Sequence, residues 1–257
     1  MPIKITLVFY LCLIAITVFS QDKWTPKEII NTKYVSSIEF STDGNMISWT
    51  QRRGVEEKDK FVNDIHLARL ELIKNNKPRA FQLTRADEND YNQLFSQDNE
   101  YLYFLSSRDE GKKLWRLNLY GGEPESVHEF ENGISQLTWL NDNKLLFLAS
   151  EGKTLYEIKN EKDNTEVVED TAHWKPRRIY AFDVEEKKIT RITDNDFRVS
   201  TYSVSRDGRY LVYNLILSPD YGVDANPKPV YYLKNLTTGE QKQILEGLQT
   251  PGNFQFT

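Results

Sequence analysis

Beyond residue 33 the apolar and polar positions repeat one pattern: an apolar strand, a polar turn centred on Asp, then a second strand rich in aromatics. Its copies run over residues 38–49, 93–104, 137–147 and 202–213, and their turns are Asp43-Gly44, Asp98-Asn99, Asp142-Asn143 and Asp207-Gly208. An Asp at this place accepts backbone N–H groups one or two residues on, and Gly or Asn supplies the positive φ that reverses the chain. Asn is the next best residue to Gly for that backbone region, so Asn99 and Asn143 are expected to do what Gly44 and Gly208 do.

The interval after each Asp hairpin holds a second pair of strands. Segment 64–70 is followed by 80–84, and 114–119 by 125–130 across Gly121-Gly122-Glu123. Segment 178–184 is followed by 189–193, and 230–236 by 243–245 across Thr238-Gly239-Glu240. Four strands per unit is a propeller blade, which takes about 40–50 residues. The Asp anchors are 55, 44 and 65 residues apart, so two intervals carry insertions. The fold expected is all-β: a partial β-propeller of four blades of four antiparallel strands plus the first strand of a fifth. The blades fall at about 34–85, 86–130, 131–193 and 194–247, and the next begins at 248–257. A Greek-key sandwich is the alternative for a strand-rich chain, but it has no need of the same Asp turn every fourth strand. Sialidase-type Asp boxes place Gly two residues after the Asp, whereas Gly44 and Gly208 follow theirs directly.

The N-terminal 33 residues break this pattern. Lys4 precedes an apolar run over 5–19, and Val18-Phe19-Ser20 supplies acceptable residues at the −3 and −1 positions. Residues 1–20 therefore read as a secretory signal peptide, cleaved between Ser20 and Gln21. Fifteen apolar residues are short for a spanning helix, which needs about 20. An uncleaved anchor is the alternative. Export to the periplasm or the extracellular space follows, with no integral membrane span after cleavage. Segment 21–33 holds a short helix. Thr25-Pro26-Lys27-Glu28 is a capping box with Pro at the first helical position, and Ile29 and Ile30 supply an apolar side to pack on the propeller rim.

Composition narrows the chemistry. The 257 residues are 39% hydrophobic and 28% charged, with 14 Tyr, 13 Phe and 5 Trp, a balance suited to a folded, strand-rich chain. A net charge of −5 with mixed signs offers no basic field for a phosphate backbone, so nucleic acid is not an expected partner. The one cysteine, Cys12, lies in the signal segment, so the exported chain has no disulfide, thiolate metal site or cysteine nucleophile.

The turns resemble the Ser-Pro-Asp-Gly-Lys type of repeat found in TolB-like and peptidase propellers. The order of parts resembles more closely the start of S9-family (prolyl oligopeptidase, dipeptidyl or acylaminoacyl peptidase-like) serine peptidases. The residues that carry this are Trp24 to Ile30, then Tyr34-Val35-Ser36-Ser37-Ile38-Glu39-Phe40-Ser41-Thr42-Asp43-Gly44, Asp64-Ile65-His66-Leu67, Gln82-Leu83-Thr84, and a third-blade insertion, Val167-Val168-Glu169-Asp170-Thr171-Ala172-His173-Trp174. The resemblance covers most of the chain after residue 20. It implies a propeller that caps an α/β-hydrolase domain in the same polypeptide and limits access to short peptides. Such a hydrolase carries Ser, Asp and His in that order, with Ser in a Gly-x-Ser-x-Gly elbow. None of the twelve glycines here flanks a serine at that spacing, so no catalytic residue is carried over.

Candidate chemistry is sparse. His66, His128 and His173 lie far apart, so no local metal cluster is indicated. The insertion brings His173 and Trp174 beside Arg177 and Arg178, an aromatic with two guanidinium groups that could hold a peptide carboxylate or gate a tunnel. The plainer alternative is a surface insertion packed on its own blade. Asp87-Glu88-Asn89-Asp90 and Asp194-Asn195-Asp196 offer Ca²⁺-type oxygens but match no full Ca²⁺ loop, and they read as solvated connections between blades. Asn235-Leu236-Thr237 is a glycosylation sequon. No cofactor or metal is expected.

Two functions follow. One is the non-catalytic, substrate-gating propeller of an exported S9-like peptidase, whose partners are peptide substrate and a hydrolase domain. In that reading the chain is a truncated form: Phe256-Thr257 aligns with Phe40-Ser41, and the next Asp would fall at position 259. The other is a free-standing TolB-like or WD40-like binding scaffold.

Overall fold

A computed structural model describes residues 25–70, 80–108, 113–129, 133–153, 155–163, 175–218 and 228–246, with Phe254 and Phe256. The expected signal segment at 1–20, His173 and Trp174, and all of 248–257 but those two phenylalanines lie outside the described residues.

Sixteen strands are described in four antiparallel units of four. The first contains β1 (Tyr34–Phe40), β2 (Met46–Val55), β3 (Lys60–Arg69) and β4 (Ala80–Gln82). The second contains β5 (Asp90–Phe95), β6 (Tyr101–Ser106), β7 (Lys113–Asn118) and β8 (Glu125–Glu129). In the third, β9 (Ile134–Asn141), β10 (Lys144–Ser150), β11 (Arg177–Asp183) and β12 (Lys188–Arg191) follow the same order. The fourth is β13 (Arg198–Val204), β14 (Tyr210–Ile216), β15 (Val230–Asn235) and β16 (Gln241–Glu246). One parallel contact, Arg177 beside Arg198, joins the third unit to the fourth. The architecture is a partial β-propeller.

The core lies between blades. Ile65 and Leu67 of the first blade meet Phe95, Leu102 and Phe104 of the second. Leu105 and Leu114 of the second meet Leu145, Phe147 and Phe182 of the third. Leu146, Ile179 and Ala181 of the third meet Leu211, Tyr213 and Val230 of the fourth. Each large side chain fully buried in this way contributes about 1.5–3 kcal/mol. The β1 side of the first blade is not covered: Val35, Ile38 and Phe40 are 47%, 56% and 59% exposed. Gln93, Leu137 and Tyr202, at the place of Ile38 in the other blades, are buried.

Three Asp turns share one geometry, and a serine completes it. Ser41 Oγ donates to Asp43 Oδ1 at 2.6 Å, Asn45 N donates to the same oxygen at 3.0 Å, and Met46 N donates to Ser41 Oγ at 2.8 Å. Ser96, Asp98 and Tyr101 repeat the set, as do Ser205, Asp207 and Tyr210. Positive φ falls on Gly44 (69°), Asn99 (59°) and Gly208 (69°). The third turn departs from the expectation. Leu140 stands where the others have serine, so Asp142 has no hydroxyl to lock it. Asn141 takes over the anchor instead: its Oδ1 accepts from Asn143 N at 3.1 Å and Lys144 N at 3.0 Å. Asn141 pairs with Lys144, so Asp142 and Asn143 form a two-residue turn, and Asn143 does not adopt the positive φ expected of it.

Every first strand of a blade carries a bulge. The register slips between Ser36 and Glu39 in β1, Tyr91 and Leu94 in β5, Ser135 and Thr138 in β9, and Val199 and Tyr202 in β13. In three of them the bulged residue has positive φ without being glycine: Ser37 (51°), Asn92 (52°) and Gln136 (54°). These bulges clasp the next blade. Gln93 Nε2 donates to the Ser37 carbonyl. Leu137 N donates to Asn92 Oδ1 at 3.0 Å, and the Tyr202 hydroxyl donates to the Gln136 carbonyl at 2.5 Å. The bulge turns a polar group out of the ladder, and the neighbouring blade satisfies it.

Two α-helices are described. In α1 (Pro26–Ile30) the capping box forms as expected: Glu28 N donates to Thr25 Oγ1 at 3.2 Å and Thr25 N to Glu28 Oε2 at 2.7 Å. Its Ile30 lies against Gly54, yet both isoleucines remain largely exposed. The other, α2 (Leu155–Asp163), lies between β10 and β11 and is not foreseen by the repeat. Lys162 ties it to Asp196 at 3.0 Å. Among the described residues no helix is long and apolar enough to cross a membrane.

Candidate functional site

The hairpin ends remote from the Asp turns collect buried charge. In the first blade Arg53 Nε donates to Asp64 Oδ2 at 2.5 Å and Arg53 Nη2 to the Ala86 carbonyl at 2.6 Å. Burial raises the Asp64 carboxyl above the usual range, against the pull of Arg53. In the second, Arg108 grips the fully buried Asp90 with both Nε (3.2 Å) and Nη2. Each buried carboxylate has its guanidinium, as burial of charge requires.

In the third blade this end is formed by the start of β11. Successive strand residues point to opposite faces, so Arg177 and Arg178 diverge. Arg178 is buried and donates from Nε to the Asn195 carbonyl at 2.9 Å and from Nη1 to Glu151 Oε1 at 3.4 Å. Arg191 Nη1 reaches the same oxygen at 3.1 Å. Burial works to raise the Glu151 carboxyl, but the Tyr180 hydroxyl, Arg191 and Arg178 outweigh it and hold it below its ordinary value. The Tyr180 phenol is pushed up by burial and by Glu151.

Arg177 takes the other side. Its Nε donates to the Val199 carbonyl at 2.6 Å and its Nη2 to the Ser200 carbonyl at 2.9 Å, both in the first strand of the fourth blade. Asn195 Nδ2 donates to the Arg177 carbonyl at 3.0 Å. Arg198 is its neighbour across the parallel pair. Burial, then the Arg198 charge, lower the Arg177 guanidinium to about 10. Of the four residues singled out beside the insertion, the structure therefore places Arg177 and Arg178 on different faces, and His173 and Trp174 lie outside the described residues. Sequence reasoning missed Arg198, Glu151 and Tyr180, which are brought in by strand pairing and carry no local motif.

The other candidates have structural partners. His66 stacks on Trp49 at 5.6 Å and His128 tilts on Phe182 at 5.3 Å; burial lowers both imidazoles below the usual value. Asp87 faces Lys58 at 2.6 Å and Glu88 faces Lys60 at 2.7 Å. Asp194 faces Arg191 at 2.9 Å. Among the described residues no group of three His, Cys, Asp or Glu side chains is placed to hold a metal ion. A shallow cleft beside the fourth blade, with room for about one water molecule, is lined by Tyr202, Tyr213, Asn214, Tyr231 and Phe254. The Phe254 ring meets Tyr231 edge-on at 4.8 Å.

No protein-family model matches the chain, and no curated protein matches it. Solved structures do. An acylaminoacyl peptidase from Pyrococcus horikoshii superposes with a TM-score of 0.57 at 16% identity, over 88% of this chain and 34% of its own. TolB from Acinetobacter baumannii gives 0.54 at 12% identity, over 83% of this chain and 44% of its own. The β-propeller domain of the Trilobed protease from Pyrococcus furiosus gives 0.50 at 17% identity, over 83% of this chain and 58% of that one. The chain thus spans about a third of the length of the P. horikoshii peptidase. At these identities the likeness shows the fold, which is that of a β-propeller found both in peptidases and in TolB.

Proposed function

We propose that the chain is the non-catalytic propeller of an exported S9-like serine peptidase, set against an α/β-hydrolase domain and limiting access to short peptides. The observation that supports this most directly is the order of parts. A capped helix at Thr25–Glu28 leads into a first blade with the Ser41–Asp43 turn, within a propeller that superposes on an acylaminoacyl peptidase over most of its length. In this reading the chemistry belongs to the hydrolase and the gating to the propeller.

Three measurements test it. In the gene, reading on from codon 257 is expected to run in frame into a Gly-x-Ser-x-Gly segment; a frame without one overturns the peptidase assignment. The purified chain is expected to leave chromogenic dipeptide and acyl-peptide substrates intact. Turnover abolished by a serine-directed inhibitor would contradict its non-catalytic role. Export through residues 1–20 predicts a mature N-terminus at Gln21, and an exported chain that still begins at Met1 overturns cleavage.

A TolB-like binding scaffold is the second reading, favoured by the superposition on TolB. It predicts a soluble monomer that melts cooperatively and captures a protein partner without any hydrolase.

A further inference from the structure

We propose that Arg177, with Arg198 beside it, is a receptor for a carboxylate, the group carried by a peptide chain end or an acidic side chain. The contrast between blades carries the inference. Arg53 and Arg108, partly buried at the same end of the propeller, each close on a buried carboxylate. Arg177 has only the carbonyls of Val199 and Ser200, both on Nε and Nη2, and among the described residues no carboxylate lies within ion-pair distance of it. The acids nearby are engaged with other cations: Glu151 with Arg178 and Arg191, Asp194 with Arg191, Asp196 with Lys162. A half-buried guanidinium held only by two carbonyls is costly to keep unless something anionic visits it.

The geometry suits such a visitor. Two carbonyls hold the guanidinium plane fixed, so its remaining edge is preorganised. A carboxylate is planar and accepts from a guanidinium through two parallel N–H groups. Arg198 adds charge from the adjacent strand and draws the anion without needing contact. The proposal does not depend on the peptidase assignment, because a binding scaffold would use the same pair.

The test is titration of the purified full chain, by calorimetry and by thermal shift, with three probes: Ac-Gly-Phe-OH, its amide Ac-Gly-Phe-NH2, and Ac-Glu-Gly-NH2. Saturable binding of at least one carboxylate probe is expected, with none for Ac-Gly-Phe-NH2. Preference for the first probe assigns the site to chain ends, and preference for the third assigns it to acidic side chains. Arg177→Gln is expected to weaken binding at least tenfold and Arg177→Lys by less. If Arg177→Gln does not fold, Arg198→Gln serves in its place, with at least a threefold loss expected. Equal binding of the amide, unchanged affinity in the Gln variants, or no saturable binding of either carboxylate overturns the proposal.

Discussion

The Leu140 carbonyl sits over Gly208: a Cβ at position 208 would stand 2.7 Å from that oxygen. Gly44, at the same place in the first blade and with the same φ of +69°, has nothing within 4 Å of such a Cβ. The two glycines separate backbone strain from blade contact. Gly44→Ala is expected to cost about 1–2 kcal/mol for the left-handed backbone alone. Gly208→Ala should cost about 1–3 kcal/mol more, because the third blade must move away. Urea midpoints of the two variants measure the difference, and equal midpoints would mean that Leu140 yields freely.

Gln93 is buried between the first two blades, where its Oε1 accepts from the Thr50 hydroxyl at 2.9 Å and its Nε2 donates to the Ser37 carbonyl. Gln93→Leu strands both partners and should cost about 1–3 kcal/mol. Thr50→Val in the same chain should return part of that loss. A double-mutant cycle in urea reads the coupling, and strict additivity would argue against the hydrogen bond.

Asp90 is fully buried under Arg108, whose side chain is 19% exposed. Removing one partner leaves the other charge uncompensated, so Asp90→Ala is expected to cost about 3–5 kcal/mol. The paired change Asp90→Leu with Arg108→Leu should be milder than Asp90→Ala. Chemical denaturation decides, and a milder single variant would show that the pair is solvated.

The three serine-locked turns predict a pH dependence. Hydrogen bonds from Ser41, Ser96 and Ser205, and then from backbone N–H groups, lower the carboxyls of Asp43, Asp98 and Asp207, the last to about 2. A carboxyl lowered by folding lends stability that is present above its unfolded value of 3.8 and lost as pH falls through the folded value. Denaturation midpoints should therefore fall between about pH 4 and pH 2. Asp→Asn at 43, 98 and 207 together should flatten that fall; an unchanged slope would place the acid sensitivity elsewhere.

Much of the blade was legible because its signals are local. The Asp hairpins and the alternation of strands depend on residues within about a dozen positions, and the Thr25–Glu28 capping box on four. The Ser two residues before each locking Asp was equally visible, and its absence at Leu140 marks the one turn that differs. The helix at Leu155–Asp163 escaped because its residues are good helix formers with no sustained apolar stripe. The bulges at Ser37, Asn92 and Gln136 escaped because the blade next door stabilises them. The opposite faces of Arg177 and Arg178 escaped because the sequence pattern starts the strand at Arg178, one residue late, and Arg198 could be found only through a strand partner 21 residues away.

The clasps at the bulges look alike in place but differ in chemistry. An amide side chain reaches a carbonyl between the first and second blades, a backbone N–H reaches an amide oxygen between the second and third, and a phenol reaches a carbonyl between the third and fourth. Each joint is therefore a lock cut for one key. Exchanging the second and third blades by gene shuffling would leave every hairpin intact but set Leu137, which has no side-chain donor, opposite the Ser37 carbonyl. Sequential order along the partial propeller is thus written sideways, in the contacts between blades, as well as lengthwise in the chain.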